Sequence, residues 1–439
     1  MMEPYRLSLV EAARLMRDGV LTPTRYLETL LDRIDRMEPT VEAWVTVERE
    51  KALEAAEEAT REASEGHFRS PLHGIPVGVK DIYFTEGTLT TMGSPLFAGF
   101  VPGRDADAVK ALKTAGAIIM GKTETTEFAL HDPAPTRNPW NTRHTPGGSS
   151  SGSAAAVSCG MAPLAFGSQT GGSVVRPASY CGVVGFKGTY DLLSRGGVYP
   201  LSWSLDHVGF MTRTVEDALI TLKTLRPDLS DGPQTDKPPR LGLLSGYFKV
   251  NSSEEVWRGF EDAVGKLWGE GAEVVDVRLP DSFGLAPSVH RVIMVVETAA
   301  VHEDLFRERA DEYREYLRGY ISSGLLVPAT AYLRAQRIRG EIMCDMVKLL
   351  EGYDCLICPS TQDTAPEGLH WTGTPSFNSP WSLTGMPSIT VPSGLGGGGL
   401  PLGLQLVGRP YGDVDLFRVA AWCERALEFP HEPKEPYTP

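Results

Sequence analysis

Residues 147–194 read GGSSSGSAAAVSCGMAPLAFGSQTGGSVVRPASYCGVVGFKGTYDLLS, a run that joins a glycine- and serine-rich loop to apolar segments of small residues. The loop reads as the cap of a short helix at AAAVSC. Farther on, GSQTGGSVVRP (167–177) sets Ser173 behind Gly171 and Gly172, with Arg176 three residues later. Consecutive glycines let backbone N–H groups turn inward without steric cost, and a cluster of such donors is what an oxyanion needs. A nucleophilic serine also needs a base, and no histidine lies close to Ser173 in sequence. Lys80, in the apolar segment HGIPVGVKDIYF (73–84), is a candidate, because burial disfavours an ammonium and a neutral amine can take a proton. On spacing alone, a surface lysine paired with an acid is the commoner use of such a residue.

Two nearby strings compete. GAIIMGKT (116–123) has the spacing of a phosphate loop, with Gly116, Gly121, Lys122 and Thr123. That loop must follow a strand and open a helix. Here a helix pattern comes before Gly116 and AIIM is itself the strand, so a helix-capping glycine before a buried strand is the better account. GSSSG (148–152) matches GxSxG and would make Ser150 a nucleophile. Its upstream segment, TRNPWNTRHTPGG, is a polar loop with two prolines where that motif needs a strand, and His207, His370 and His431 have no clear scaffold. Cys355 and Cys358 form a lone CxxC in DCLICPS, with no second pair at zinc spacing, and read as core thiols. His302, in ETAAVHEDLF, reads as a helix-face histidine. No metal or cofactor is expected.

Outward from this block, Ser8 and Glu11 form a capping box before Leu9, Ala12, Leu15 and Met16, and Thr22 and Pro23 open a second helix. A third helix pattern lies near 49–65. Strand-like RLGLLS (240–245), AEVVDVRL (272–279) and DCLICPS alternate with helix patterns at 253–269, 297–320 and 330–351. The glycines of GLGGGG (394–399) read as a hairpin loop. This alternation predicts an α/β fold, a single large domain over 1–439 with a mixed twisted β-sheet sandwiched between helices. Its expected portions are N-terminal helices (1–65), a catalytic core (70–220), a variable substrate-side region (221–350) and a C-terminal part of the same sheet (351–439).

Of 439 residues, 41% are hydrophobic and 22% charged, as in ordinary globular chains. The net charge of −14 repels polyanions, which argues against nucleic acid and anionic membrane partners. Six cysteines are too sparse for a disulfide scaffold and suit the cytoplasm. MMEPYRLSLVEAARL lacks a signal-peptide pattern, and the apolar stretch 154–166 is interrupted by Gly160 and Pro163 and too short to span a bilayer.

Taken together, these motifs resemble the amidase signature family of serine hydrolases. The block 147–194 carries the match, joined by HGIPVGVKDIY, AGAIIMGKT (115–123), SLDHVGFMTRTVEDA (204–218), GMPSITVPSG and LPLGLQLVGRP. The resemblance implies the amidase signature fold and a Ser-Ser-Lys triad of Lys80, a bridging Ser149 and the nucleophile Ser173. It implies a cis peptide between Gly148 and Ser149, and an oxyanion hole of backbone N–H groups from Thr170, Gly171, Gly172 and Ser173. Much of the family has aspartate where Gln169 stands and arginine where Val175 stands. Gln169 with Arg176 looks like the malonamidase-like branch, in which this arginine faces a carboxylate on a small substrate. The expectation is therefore a cytoplasmic amidohydrolase that cleaves a small, carboxylate-bearing amide, with a homodimer among its compatible states. Two alternatives are a catalytically silent binding or scaffold protein and a glutamine-hydrolysing amidotransferase subunit.

Overall fold

Helix formation at the N-terminus follows the local signals. Ser8 accepts a hydrogen bond from the Glu11 amide and the Glu11 carboxylate accepts one from the Ser8 amide, which starts the helix Leu9–Arg17. Thr22 caps the helix Pro23–Val41, whose Tyr26, Leu27, Leu30, Leu31 and Ile34 are buried on one face. The third expected helix spans Arg49–Ser64. These descriptions come from a computed structural model that describes residues 3–230 and 237–434. Residues 1–2, 231–236 and 435–439, parts of the expected N-terminal, variable and C-terminal portions, lie outside the described residues.

Eleven strands among the described residues build one sheet: β1 (Trp44–Val47), β2 (Pro76–Lys80), β3 (Ile118–Thr123), β4 (Leu164–Gln169), β5 (Val184–Lys187), β6 (His207–Thr212), β7 (Arg240–Leu243), β8 (Glu273–Asp276), β9 (Cys355–Pro359), β10 (Ser388–Leu395) and β11 (Pro401–Val407). Their order is β1-β3-β2-β4-β6-β5-β10-β11-β9-β7-β8. Two parallel groups, β3-β2-β4 and β9-β7-β8, flank an antiparallel middle that runs from β4 through β6, β5, β10 and β11 to β9. The mixed sheet of a single α/β domain is thus present. Every residue of β2, β4, β5, β6 and β9 is buried, as in strands covered on both faces.

Three local outcomes refine the sequence reading. The β6 segment, HVGFMT, is a full strand inserted between β4 and β5. Its Gly209 lies opposite both Gly167 and Lys187, and a Cβ there would come within 2.5 Å of the Phe186 carbonyl oxygen. The pattern at 297–320 is two helices, Ala286–Arg309 and Glu315–Leu325. The chain breaks between them because Glu127 accepts from the Arg314 amide and Asp132 from the amides of Tyr316 and Leu317, so a new N-terminus is satisfied by distant carboxylates. Lastly, β3 continues through Gly121, Lys122 and Thr123, the residues a phosphate loop would have needed free. The helix Asp107–Thr114 precedes this strand, and the GLGGGG hairpin joins β10 to β11, both as expected.

Candidate active site

Lys80 ends β2 with its side chain fully buried. Its Nζ lies 2.7 Å from Ser149 Oγ and 2.8 Å from Ser168 Oγ, donating to both. Burial holds this amine well below the ordinary lysine range, and the Asp206 carboxylate pulls the other way. Ser168 was not found from sequence. It sits on β4, next to β2 in the sheet, and only that parallel pairing brings it to Lys80. Ser149 is buried too, its carbonyl accepting from the Thr126 amide at 3.2 Å.

The expected cis peptide is present between Gly148 and Ser149. Arg176 reaches this same point: its guanidinium donates to the Gly148 carbonyl at 2.6 Å, the Gly373 carbonyl at 2.7 Å and Thr372 Oγ1 at 3.3 Å. Arg176 is 1% exposed, its Nε has no hydrogen-bond partner and no acid pairs with it among the described residues. Burial pushes its guanidinium down to about 10, against an opposing effect of Tyr180. Gln169 fills the place of the common aspartate by a different chemistry. Its Oε1 accepts from the Val174 and Val175 amides at the start of the helix Val175–Cys181, and its Nε2 donates to Ser382 Oγ. The helix start is therefore capped by a neutral group, and the positive charge of Arg176 stays unbalanced.

Ser173 stands just before that helix and is 7% exposed. The amides of Gly171, Gly172 and Ser173 donate to no protein acceptor among the described residues, which leaves three N–H groups in series. The need for glycine here has another cause than backbone handedness, since neither Gly171 nor Gly172 has a positive φ. A Cβ on Gly172 would fall 2.5 Å from Asn378 Oδ1 and one on Gly171 would fall 3.2 Å from Pro375 Cβ. The segment 375–378 simply lies too close for a side chain. Thr170 Oγ1 donates to Asp206 Oδ1 at 2.5 Å, His290 Nε2 pairs with the Thr170 carbonyl at 2.9 Å, and Ser382 donates to the Gly171 carbonyl at 3.1 Å. Asp206 also accepts from the amides of Leu201 and Ser202, and burial raises its carboxyl to about 6. A cavity of about 300 Å³ opens beside Ser168, Thr170 and Asp206, walled by Tyr199, Leu201 and Trp203.

The rival residues are occupied otherwise. Ser150 Oγ donates to the Ser168 carbonyl and accepts from its amide, which makes it a brace for β4. His207 is buried with Nδ1 on the Leu205 carbonyl. Lys122 is buried between Tyr83, Thr90 and Asp81. Cys355 and Cys358 are buried free thiols. His302 lies in the helix Ala286–Arg309, where it is buried against Phe128 with Nδ1 on the Tyr313 hydroxyl. The described residues contain no cluster of His, Cys, Asp and Glu suited to a metal ion.

Comparison with known proteins finds relatives along nearly the whole chain. The family model described as Amidase matches residues 25–417. A glutamyl-tRNA(Gln) amidotransferase subunit from Geobacter metallireducens is 35% identical, over 97% of this chain and 98% of that one. A crystal structure of an amidase superposes with a TM-score of 0.89 at 32% identity, covering 96% of this chain and all of the other. The peptide amidase of Stenotrophomonas maltophilia superposes with a TM-score of 0.83 at 28% identity, covering 99% of each chain.

Proposed function

Because this chain belongs to the amidase family and is an amide-hydrolysing enzyme, we propose that it cleaves the C–N bond of a small, carboxylate-bearing amide through a seryl acyl-enzyme. The observation that carries this reading is the buried Lys80 amine, 2.7 Å from Ser149 Oγ with no acid among the described residues bonded to it. A neutral amine there takes the Ser149 hydroxyl proton while Ser149 takes the proton of Ser173, whose Oγ attacks the amide carbon. The carbonyl oxygen, now negative, is held by the N–H groups of Thr170, Gly171, Gly172 and Ser173. Run in reverse, the relay protonates the departing nitrogen, which leaves as ammonia or an amine, and water then opens the ester. Arg176 supplies positive charge for the substrate carboxylate, and no acid among the described residues pairs with it. The six free thiols fit a cytoplasmic setting.

A second reading has a specific observation behind it. The Geobacter metallireducens relative is a glutamyl-tRNA(Gln) amidotransferase subunit, which favours glutamine as the amide and a partner chain to receive the ammonia. Glutamine also bears a carboxylate, so the two readings share one chemistry and differ in partner. The test is ammonia release by the purified chain from malonamate, glutamine and neutral alkyl and aryl amides. A stand-alone amidase turns over anionic amides unaided; an amidotransferase component releases ammonia from glutamine only with partners added. Ser173→Ala should abolish both turnover and the acyl-enzyme seen by intact mass. Full turnover by that variant would end the triad assignment.

A further inference from the structure

We propose that Glu297 is a positioning residue for the reaction: its carboxylate clamps the loop 199–206 and, through Asp206 in that loop, sets Thr170 at the head of the oxyanion donors. This rests on the amidase reading above and names a residue that reading does not use.

Residues 199–206 form neither helix nor strand, so the shape of this loop depends on its pins. Within it, the Leu205 and Asp206 amides donate to the Ser202 carbonyl at 3.0 and 2.9 Å, and the Asp206 carboxylate accepts from the amides of Leu201 and Ser202. Glu297 supplies the grip from outside. Its Oε2 accepts from Ser202 Oγ at 2.6 Å and the Ser204 amide at 2.9 Å, and its Oε1 from Ser204 Oγ at 2.7 Å and the Tyr332 hydroxyl at 2.8 Å. A carboxylate offers about four lone-pair positions, and four donors meet this one. Glu297 is 5% exposed, so little bulk water is at hand to replace it.

The link to the reacting centre runs through Asp206. Its Oδ2 holds the loop while its Oδ1 accepts from Thr170 Oγ1 at 2.5 Å, so one carboxylate joins the loop to the residue that follows β4. The helix that carries Glu297 also reaches Thr170 directly. His290 Nε2 pairs with the Thr170 carbonyl at 2.9 Å, and His290 and Glu297 stand seven residues apart on Ala286–Arg309, close to two turns, on one face. From the helix Ala329–Leu350, Arg339 donates to the Ser204 carbonyl at 2.8 Å and the Leu383 carbonyl at 2.7 Å; Ser382, beside Leu383, donates to the Gly171 carbonyl. Two long helices thus fasten the loop and the oxyanion segment together. The clamped loop also walls the cavity beside Thr170 with Tyr199, Leu201 and Trp203. Donors to an oxyanion must be fixed before the charge develops, and a shift of about 1 Å can cost on the order of 100-fold in rate.

The experiment follows labelling of Ser173 by a small neutral fluorophosphonate, and ammonia release from malonamate and a neutral alkyl amide. It compares Glu297→Ala, Glu297→Gln, Thr170→Val and the Glu297→Ala/Thr170→Val double variant with the wild type, all below their unfolding transitions. Glu297→Ala should lose on the order of 10- to 100-fold in kcat and in labelling rate, on both amides alike, with KM within about threefold. Glu297→Gln should recover most of this, because its Oε1 can keep the Ser202 hydroxyl and Ser204 amide while the Ser204 and Tyr332 hydroxyls turn to accept from Nε2. Thr170→Val already removes the bond to Asp206, so adding Glu297→Ala should cost less than about threefold more. Losses that multiply in the double variant, a Glu297→Ala loss confined to KM, or no loss at all overturn the assignment of Glu297 while leaving the amidase reading intact. Should Glu297→Ala not fold, Ser202→Ala with Ser204→Ala strips two donors from the loop side and takes its place in the same cycle. A wild-type chain that labels at no serine and hydrolyses neither these amides nor glutamine overturns both readings.

Discussion

In the proposed mechanism the chemistry at Lys80 depends on one proton. A lysine whose pKa is depressed in the folded chain is an ammonium below that pKa and a base above it, so kcat/KM should rise with pH through it. The Asp206 carboxylate raises the Lys80 pKa against the effect of burial. Asp206→Asn removes that charge, and the acid limb of the pH profile should move to lower pH. The difference should be present above about pH 6, where Asp206 is ionised, and fade below it. A limb that stays put in this variant would mean that Lys80 is not the titrating group. Arg176 has two duties that one substitution can separate. Arg176→Met frees the Gly148 carbonyl beside Ser149, so neutral amides should suffer; anionic amides should lose on the order of tenfold more if its charge also serves the substrate. Steady-state kinetics on the two substrate types reads the excess directly.

Among the elements, the short helix Ser151–Ser158 fixes where Ser149 can be. It is buried along most of its length and lies against β2, β3, β4 and β6. Gly152 permits the contact: a Cβ there would sit 2.2 Å from the Ala43 carbonyl oxygen and 2.4 Å from the Glu124 nitrogen. Both neighbours are backbone and cannot swing away. Gly152→Ala should therefore cost about 1–3 kcal/mol of stability, seen as a lower Tm, with loss of activity as Ser149 is displaced. Local signals of this kind were partly legible. The Ser8–Glu11 box and the Thr22-Pro23 start gave their helices because capping acts within four residues. The break before Glu315 was hidden, since the carboxylates that cap it, Glu127 and Asp132, lie more than 180 residues upstream. Ser168 was hidden for the same reason, its role depending on which strand stands beside β4.

Across the whole molecule, alternating strand and helix patterns were enough for the α/β class and a mixed sheet. The strand order was not, because β5 pairs with β10 across two hundred residues of chain and nothing local to Val184–Lys187 announces that partner. The site was legible in part: Lys80 and Ser173 stood out by their settings, Ser149 only through the family resemblance, and the structure brings Lys80 within 2.7 Å of Ser149. It was not legible where neighbours decide, as with the two glycines kept bare by Pro375 and Asn378.

The sheet order also separates two kinds of change. Lys80, Ser149, Ser168 and Ser173 all come from the first 173 residues, and the strands β2 and β4 that position them are hydrogen-bonded neighbours. His290 and the 372–378 segment arrive from later in the chain and touch the loop 170–172 and Arg176 beside them. If the proposed relay holds, substitution in the later part should retune which amide is admitted without rewiring it, so that diet and chemistry can change separately.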